Sequence, residues 1–358
     1  MKNIVCIVGA GFLKAMLEKE LPITEELIVN TVKSVPNKFP ALHYLYREYG
    51  NIKLSYLLNL NIIWSNIGYF AGIIKPKINE IMKAYSSDDL SEPTKLLFKK
   101  RLIPNFFINN KPLESLLGLE LIRMLAFHYN NKNIILKKRI SEEFQKLIKS
   151  KKKNIVWASL NYDTVLEHVL QEYSKGEWEY VFGDLFIKTN TKNNARNKVL
   201  KPHGSLNVKF KTVWGNTIKH SLEIVNPQDW LETCREEAIG MVIEEGESVE
   251  VRPSIIGYYH DSMKAEFNSS VSIPDINHDF IKMNACYFSL ALQRADSLYI
   301  LGYSMPSEDL WIWNRIKGMR KTSMSVYVSS GNDSDRIINE LKRVGFHKAR
   351  LFTKGGIL

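Results

Sequence analysis

Short apolar runs that pass directly into helical patterns recur at both ends of this chain, and this alternation most constrains its fold. The run at 3–8 leads through a glycine turn into a helix near Phe12, and the run at 155–160 leads into a helix with an apolar stripe. Strands are also predicted at 297–301, 325–329 and 349–352, and helices at 279–294, 309–319 and 333–344. Because alternating strands and helices favour a parallel sheet, we predict an α/β fold, a Rossmann-like parallel sheet flanked by helices.

The segment between the first helix and the second strand carries helical patterns almost exclusively. They are predicted at 41–49, 56–64, 78–85, 113–128 and 141–149. The sequence thus predicts a core of residues 1–27 and 151–358, with a large helical insertion at 28–150 that covers the carboxyl edge of the sheet. Strand-like segments follow the second strand at 179–182, 185–187, 199–201 and 208–211, and residues 235–275 carry no clear pattern.

The composition and the cysteines exclude several classes of protein. Hydrophobic residues make up 45% of the chain and charged residues 24%, which is typical of a folded globular protein. Cys6, Cys234 and Cys286 lie too far apart for a disulfide framework or a Cys-x-x-Cys zinc site. No apolar run approaches the roughly 18 residues of a membrane span, and the chain begins with a strand pattern instead of an export signal. We therefore expect a cytoplasmic protein with no membrane contact and no zinc.

The net charge of +11 raises the alternative of nucleic-acid binding. The lysines and arginines form scattered clusters at 99–101, 137–139, 149–153 and 188–201, without a recognisable nucleic-acid motif. Such clusters are more typical of solvated surface, although the total charge attracts acidic ligands and partners. A nucleic-acid-associated subunit stays an alternative, which a steep salt dependence of nucleic-acid binding would support.

Four glycine-rich or polar turns follow predicted strands, and ligands bind at such strand ends in open α/β sheets. The first is Gly9-Ala10-Gly11, whose glycines would let the backbone approach a diphosphate at a helix N-terminus. Lys14 occupies the third glycine position of the dehydrogenase fingerprint, and no second strand with an acidic end follows near residue 30. A conventional hydride-transfer enzyme is therefore disfavoured.

The other three turns carry side chains suited to chemistry on a ligand: Asn161 and Asp163, His203 with Gly204, and Gly302 with Ser304. An imidazole is well suited to proton transfer near neutral pH, and Gly204 would let a ligand approach His203. Each turn also has a structural alternative. Asp163 caps the following helix equally well, a lone histidine in a turn is usually structural, and Ser307 or Asp309 could simply cap the next helix.

Together the four turns resemble motifs of the sirtuin-like superfamily, specifically the bacterial sirtuin-like domains of antiphage defence proteins. Residues 9–12 resemble the family's Gly-Ala-Gly-Phe, and Leu-Pro-Ile-Thr at 21–24 resembles Leu-Pro-Leu-Thr. Ser-Leu-Asn-Tyr-Asp at 159–163 resembles Thr-x-Asn-Tyr-Asp, 203–205 matches His-Gly-Ser, and 302–309 resembles Gly-Tyr-Ser-x-Pro-x-x-Asp. The matches stand in the family's order and span nearly the whole chain, so the ordered set is more specific than any single motif.

The resemblance implies an NAD+ glycohydrolase that cleaves NAD+, its substrate, to nicotinamide and ADP-ribose as an antiviral defence effector. Asn161 would hold a water or a ribose hydroxyl through its amide, and His203 would act as the base for a ribose hydroxyl or the attacking water. The residues so implied are Asn161 and His203 for catalysis and, for NAD+ binding, Gly9, Ala10, Gly11, Phe12, Asp163, Gly204, Gly302 and Ser304.

Two departures from the family bear on this hypothesis. Leu13 stands where relatives carry a serine, and a leucine neither caps a helix nor hydrogen-bonds a phosphate. This departure favours an alternative, a catalytically weak subunit of a defence complex that binds NAD+ or ADP-ribose. The four-cysteine zinc module of the deacetylating sirtuins is missing, so deacetylation is not expected. Relatives imply a homo-oligomer, or a complex with a separately encoded ATPase or Argonaute-like protein through which nucleic acid could act.

Overall fold

Parallel strand pairing organises the chain. The computed structural model describes residues 2–18, 27–36, 39–50, 124, 128, 135–181, 195–214, 219–224, 241–244, 247–255, 276–306, 309–319 and 323–352. The strands found there are β1 (Lys2–Val8), β2 (Lys153–Ser159), β3 (Trp178–Tyr180), β4 (Asn197–Leu200), β5 (Gly204–Trp214), β6 (Lys219–Ile224), β7 (Met241–Glu244), β8 (Glu247–Ile255), β9 (Ser297–Leu301), β10 (Ser325–Ser329) and β11 (Ala349–Leu351). The α-helices found there are α1 (Ala10–Met16), α2 (Leu27–Ser34), α3 (Pro40–Tyr49), α4 (Glu142–Ile148), α5 (Val165–Tyr173), α6 (Ile276–Arg294), α7 (Leu310–Gly318) and α8 (Ser334–Arg343).

Seven strands form one sheet in the order β11-β10-β9-β1-β2-β4-β3, and every neighbouring pair is parallel. This confirms the predicted α/β fold with a Rossmann-like parallel sheet. The central strand β1 is buried from Ile4 to Val8, as expected for a parallel strand covered on both faces. From β1 the chain continues to β2 on one side and later to β9 on the other. The carboxyl ends of β1 and β9 therefore flank a topological switch point, where open α/β sheets bind ligands.

Helices cover both faces of this sheet. Val5 and Ile7 of β1 belong to a buried cluster that includes Phe288 of α6, Ile312 of α7 and Ile337 of α8. Successive side chains of a strand point to opposite faces, so the neighbouring residues of β1 and β2 face the other layer. That layer is filled by aromatic residues of α1, α4 and β2: Phe144 packs edge-to-face with Phe12 and Trp157, at ring-centroid distances of 5.8 and 6.0 Å.

By its contacts the chain divides into two compact units. One, the sheet unit, comprises residues 1–21, 132–205 and 259–358, and the second comprises 22–131 and 206–258. Within the second unit, β5 pairs antiparallel with β6, β7 pairs antiparallel with β8, and the four form a sheet in the order β6-β5-β8-β7. The sequence predicted only the strand at 208–211 in this sheet, and β7 and β8 lie in the stretch that carried no clear pattern.

Only parts of the predicted insertion at 28–150 lie within the described residues. The helices predicted at 41–49 and 141–149 are confirmed as α3 and α4. Ser141 caps α4 by accepting a hydrogen bond from the Phe144 amide, and Glu142 and Glu143 in the first turn complement the helix dipole. Met124 and His128 are helical, but the predicted helices at 56–64 and 78–85, the rest of 113–128 and the strand at 185–187 lie outside the described residues. The boundaries at 28 and 150, and the cover over the sheet edge, stay predictions.

Among the helices of the described ranges, none combines the length and the apolar composition needed to cross a membrane.

Candidate functional site

The four turns singled out in the sequence follow four consecutive strands of the parallel sheet. In the order β9-β1-β2-β4, the strands are followed by Gly302, Gly9, Asn161 and His203. Because the strands are parallel, their carboxyl ends meet at one edge of the sheet. The structure thus brings the predicted motifs together, and the contacts between them show what each residue does there.

The glycines after β1 and β9 let two backbone turns cross at close range. The Gly9 amide donates to the Leu301 carbonyl at 3.0 Å, and the Gly11 amide donates to the Gly302 carbonyl at 2.8 Å. A Cβ atom on Gly302 would lie 1.9 Å from the Phe12 nitrogen, and Gly302 has a φ of +61°. The glycines therefore have a packing role, and the Gly9 and Gly11 amides are already used by carbonyl groups of the protein.

Phe12 and Leu13 lie in the core and not at a ligand-facing surface. Phe12 is fully buried against Phe144, and Leu13 is also buried. The Phe12 side chain packs against α4, and the predicted contact of this residue with NAD+ stays a prediction. Leu13 adds to this apolar packing.

Asn161 lies beside the glycine turn, as the strand order requires. Its side-chain amide donates to the Gly9 carbonyl at 3.1 Å, and the residue is half-buried. The Gly9 carbonyl also accepts the Phe12 amide at 3.0 Å, which begins α1. Asn161 therefore fastens the end of β2 to the turn that follows β1.

Asp163 supports the start of helix α5 from the position before its N-cap residue, Thr164, which is close to the structural alternative for Asp163. Its Oδ1 accepts the Val165 amide at 2.8 Å, and the carboxyl group is buried. Burial raises the pKa of Asp163 to about 6, and the Lys201 ammonium opposes this shift. A raised pKa means that folding favours the protonated carboxyl. Its contribution to stability is thus complete below pH 3.8 and is lost as the pH rises through about 6.

A buried ion pair that the sequence did not predict lies under the same loop. Lys201 and Glu167 are both fully buried, and the Lys201 Nζ lies 3.1 Å from Glu167 Oε1. The Tyr180 hydroxyl donates to the same carboxylate oxygen at 2.8 Å. A signal is present, because Glu167 directly follows two apolar residues of α5 and Lys201 directly follows β4.

His203 is buried, in contrast to the ligand-facing position that its predicted role as a base requires. Its Nδ1 lies 3.1 Å from the Leu160 carbonyl oxygen and its Nε2 lies 3.2 Å from Asp309 Oδ1. The Tyr162 ring lies beside it, with a centroid distance of 6.5 Å. Each ring nitrogen thus faces an oxygen atom of the protein. The ring must leave one of these contacts before that nitrogen can take a proton from a ligand.

Asp309 is a site residue that the sequence treated only as a possible helix cap. It occupies the N-cap position of α7, yet its carboxylate makes no capping bond to the described part of that helix. Instead Oδ1 faces His203, and Oδ2 accepts the Tyr303 hydroxyl at 2.9 Å. His203, Asp309 and Tyr303 therefore form a buried chain of polar contacts.

The other two predicted binding residues, Gly204 and Ser304, are neighbours in sequence of His203 and Tyr303. Gly204 begins β5 directly after His203. Ser304 is exposed, and its main-chain carbonyl accepts a hydrogen bond from the Arg336 guanidinium. Their predicted contacts with NAD+ stay predictions. Within the described ranges, no cluster of three or more histidine, cysteine, aspartate or glutamate side chains is arranged to hold a metal ion.

Comparisons with protein-family models and with curated proteins gave no match to this chain. The motifs and the contacts between them therefore carry the argument about function.

Proposed function

We propose that the protein is an NAD+ glycohydrolase whose site lies at the carboxyl ends of β9, β1, β2 and β4. The observation that carries this proposal is a set of three contacts that join the four motifs at one edge: Asn161 with the Gly9 turn, the Gly9 turn with Gly302, and His203 with Asp309. This edge flanks the switch point of the sheet, where α/β proteins bind nucleotides. Release of nicotinamide and ADP-ribose from NAD+ by the purified chain is the test.

The chemistry of the nicotinamide–ribose bond suits these side chains. Nicotinamide leaves as its ring loses a positive charge, so no general acid is needed, and the ribose carbon becomes oxocarbenium-like. An amide such as that of Asn161 both accepts and donates, and so can orient a ribose hydroxyl or a water molecule. An imidazole such as that of His203 can take the proton of that hydroxyl or of the attacking water.

The Asp309 carboxylate would orient the His203 ring. A histidine that transfers protons is commonly held by a carboxylate on its other ring nitrogen, as in serine hydrolases. Asp309 Oδ1 lies 3.2 Å from Nε2, an ion-pair distance without the geometry of a hydrogen bond, and the Tyr303 hydroxyl donates to the other carboxylate oxygen. Nδ1 would then face the ligand once it leaves the Leu160 carbonyl. Binding of NAD+ is expected to accompany this release.

Replacing Asp309 by asparagine is expected to lower kcat for NAD+ cleavage by at least about 10-fold, part of the 10²- to 10⁴-fold effect of a positioned acid or base. The amide keeps the shape of the side chain but loses the charge that faces His203. Tyr303→Phe, which removes one hydrogen bond to Asp309, should give a smaller loss in the same direction. The measurement is kcat and its pH profile for each variant. A wild-type profile in Asp309→Asn would contradict the assignment of Asp309.

The second candidate function is binding of NAD+ or ADP-ribose without turnover. The contact of both His203 nitrogens with protein oxygens favours it, and so does the apolar surrounding of Leu13. Calorimetric titration with NAD+ distinguishes the two functions, since binding without release of nicotinamide would select the second. A role in antiviral defence, alone as an oligomer or with a separate partner, belongs to the same proposal. Loss of cellular NAD+ during infection, compared between wild type and His203→Ala, would test it.

A further inference from the structure

We propose that Lys201 is a positioning residue, whose buried ammonium group clamps the loop that carries Asn161 and thereby sets the direction of the Asn161 amide. This inference rests on the proposed function of Asn161. It assigns a role to a side chain that is fully buried.

The three N–H donors of the Lys201 ammonium are matched by three oxygen atoms. They are the main-chain carbonyl of Asn161 at 3.1 Å, the main-chain carbonyl of Asp163 at 2.5 Å and Glu167 Oε1 at 3.1 Å. An ammonium group has three donors and no acceptor, so this set satisfies it. Two of the three partners belong to the loop between β2 and α5 and not to the ion pair. A lysine whose only role was to neutralise Glu167 would not need the contacts with these two carbonyl groups.

The Asn161 loop is consequently held from two sides. Its side-chain amide is fixed by the Gly9 carbonyl, and its main-chain carbonyl is fixed by Lys201. The main chain of Lys201 is anchored as well, because its amide donates to Asn284 Oδ1 of α6 at 2.8 Å. Lys201 also precedes His203 by two residues, so one segment carries both the clamp and the candidate base. Small displacements of such groups cost up to about 10²-fold in rate.

Burying an ammonium group costs free energy. The effect of Lys201 on stability can therefore be separated from its effect on the position of the Asn161 loop. Removing one partner of a buried ion pair leaves an uncompensated charge, whereas replacing both partners is often nearly neutral. Glu167→Gln keeps Lys201 and its contacts with the loop carbonyls, and the glutamine oxygen still accepts the Tyr180 hydroxyl. Lys201→Met with Glu167→Gln removes the charges and the clamp together, while methionine keeps an unbranched side chain. The double variant should therefore be the more stable of the two variants but the less active.

The experiment compares melting temperature and kcat for NAD+ in wild type, Glu167→Gln and the double variant Lys201→Met/Glu167→Gln. We expect Glu167→Gln to melt roughly 5–10 °C below wild type but to keep a kcat close to wild type. The double variant should melt above Glu167→Gln, yet lose about 10- to 100-fold in kcat. Lys198→Met is the matched control, since Lys198 is an exposed lysine of β4 that pairs loosely with Glu179 at 3.8 Å. It should change neither quantity.

Hydrogen exchange in peptides that cover 160–166 keeps this test separate from the proposed function. The clamp predicts faster exchange of this loop in the double variant than in Glu167→Gln, whether or not the wild type cleaves NAD+. A wild type without turnover would thus refute the proposed function and leave the exchange comparison to decide on Lys201. Equal loop exchange in the two variants would overturn the clamp. A double variant that melts below Glu167→Gln would also overturn it. The same holds if kcat falls in the same order as melting temperature across wild type, Glu167→Gln and the double variant.

Discussion

Replacing Gly302 by alanine is expected to lower the free energy of unfolding by about 4 kcal/mol or more, the range of severe core disruption. The added Cβ would lie 1.9 Å from the Phe12 nitrogen and 2.4 Å from the Gly11 carbonyl carbon. Both are main-chain atoms, so a change of side-chain rotamer cannot relieve the clash. The φ of +61° adds the cost of a left-handed conformation for a residue with a side chain. The turns after β1 and β9 would have to separate.

Urea denaturation measures this effect, and Gly318→Ala is its matched control. A Cβ on Gly318, at the end of α7, would meet nothing within 4 Å. That exchange should change stability by less than about 1 kcal/mol and in the stabilising direction, since alanine is the better helix former. Gly302→Ala unfolding at the wild-type midpoint would show that the two turns do not cross as closely as described.

Replacing His203 or Asn161 by alanine is expected to suppress NAD+ cleavage by about 10²- to 10⁴-fold, the contribution of a positioned acid or base. His203→Ala removes the group that takes the proton, and Asn161→Ala removes the amide that orients the ribose or water. The two act as one unit, so the double variant should lose little beyond the worse single variant. Cleavage by both single variants at the wild-type rate would refute the catalytic assignment.

Stability has to be followed alongside activity, because the two residues differ in burial. His203 is buried between the Leu160 carbonyl and Asp309, so His203→Ala should also lose roughly 1–3 kcal/mol in unfolding free energy. Asn161 is half-buried and donates one hydrogen bond to Gly9, and its replacement should cost only about 1 kcal/mol. Rates are therefore compared per folded molecule. His347→Ala, at an exposed histidine after α8, should change neither quantity.

The strands of the parallel sheet could be predicted because each is a short apolar run that ends at a turn. The runs at 3–8, 297–301 and 325–329 coincide with β1, β9 and β10 within one residue. The sequence does not predict β7 and β8, because their glutamates obscure the apolar pattern. The hairpin signal was nonetheless present, since two residues, Glu245 and Gly246, separate two β-prone runs.

At the site, the sequence predicted which turns meet but not which side chains pair. Strand order follows from topology, and it brings Gly9 and Asn161 together. The partner of a buried side chain depends on tertiary packing, which local patterns do not encode. For this reason the sequence indicates only a helix cap at Asp309, which faces His203, and a surface lysine at Lys201, which is fully buried.

The fate of NAD+ incubated with the purified full chain, resolved by chromatography, tests the central claim most directly. We expect the wild type to release one nicotinamide for each ADP-ribose formed, whether free or cyclic. We expect His203→Ala and Asn161→Ala to leave NAD+ intact while remaining folded. Intact NAD+ with the wild type, under conditions where calorimetry shows that NAD+ is bound, would contradict hydrolysis and select the binding function.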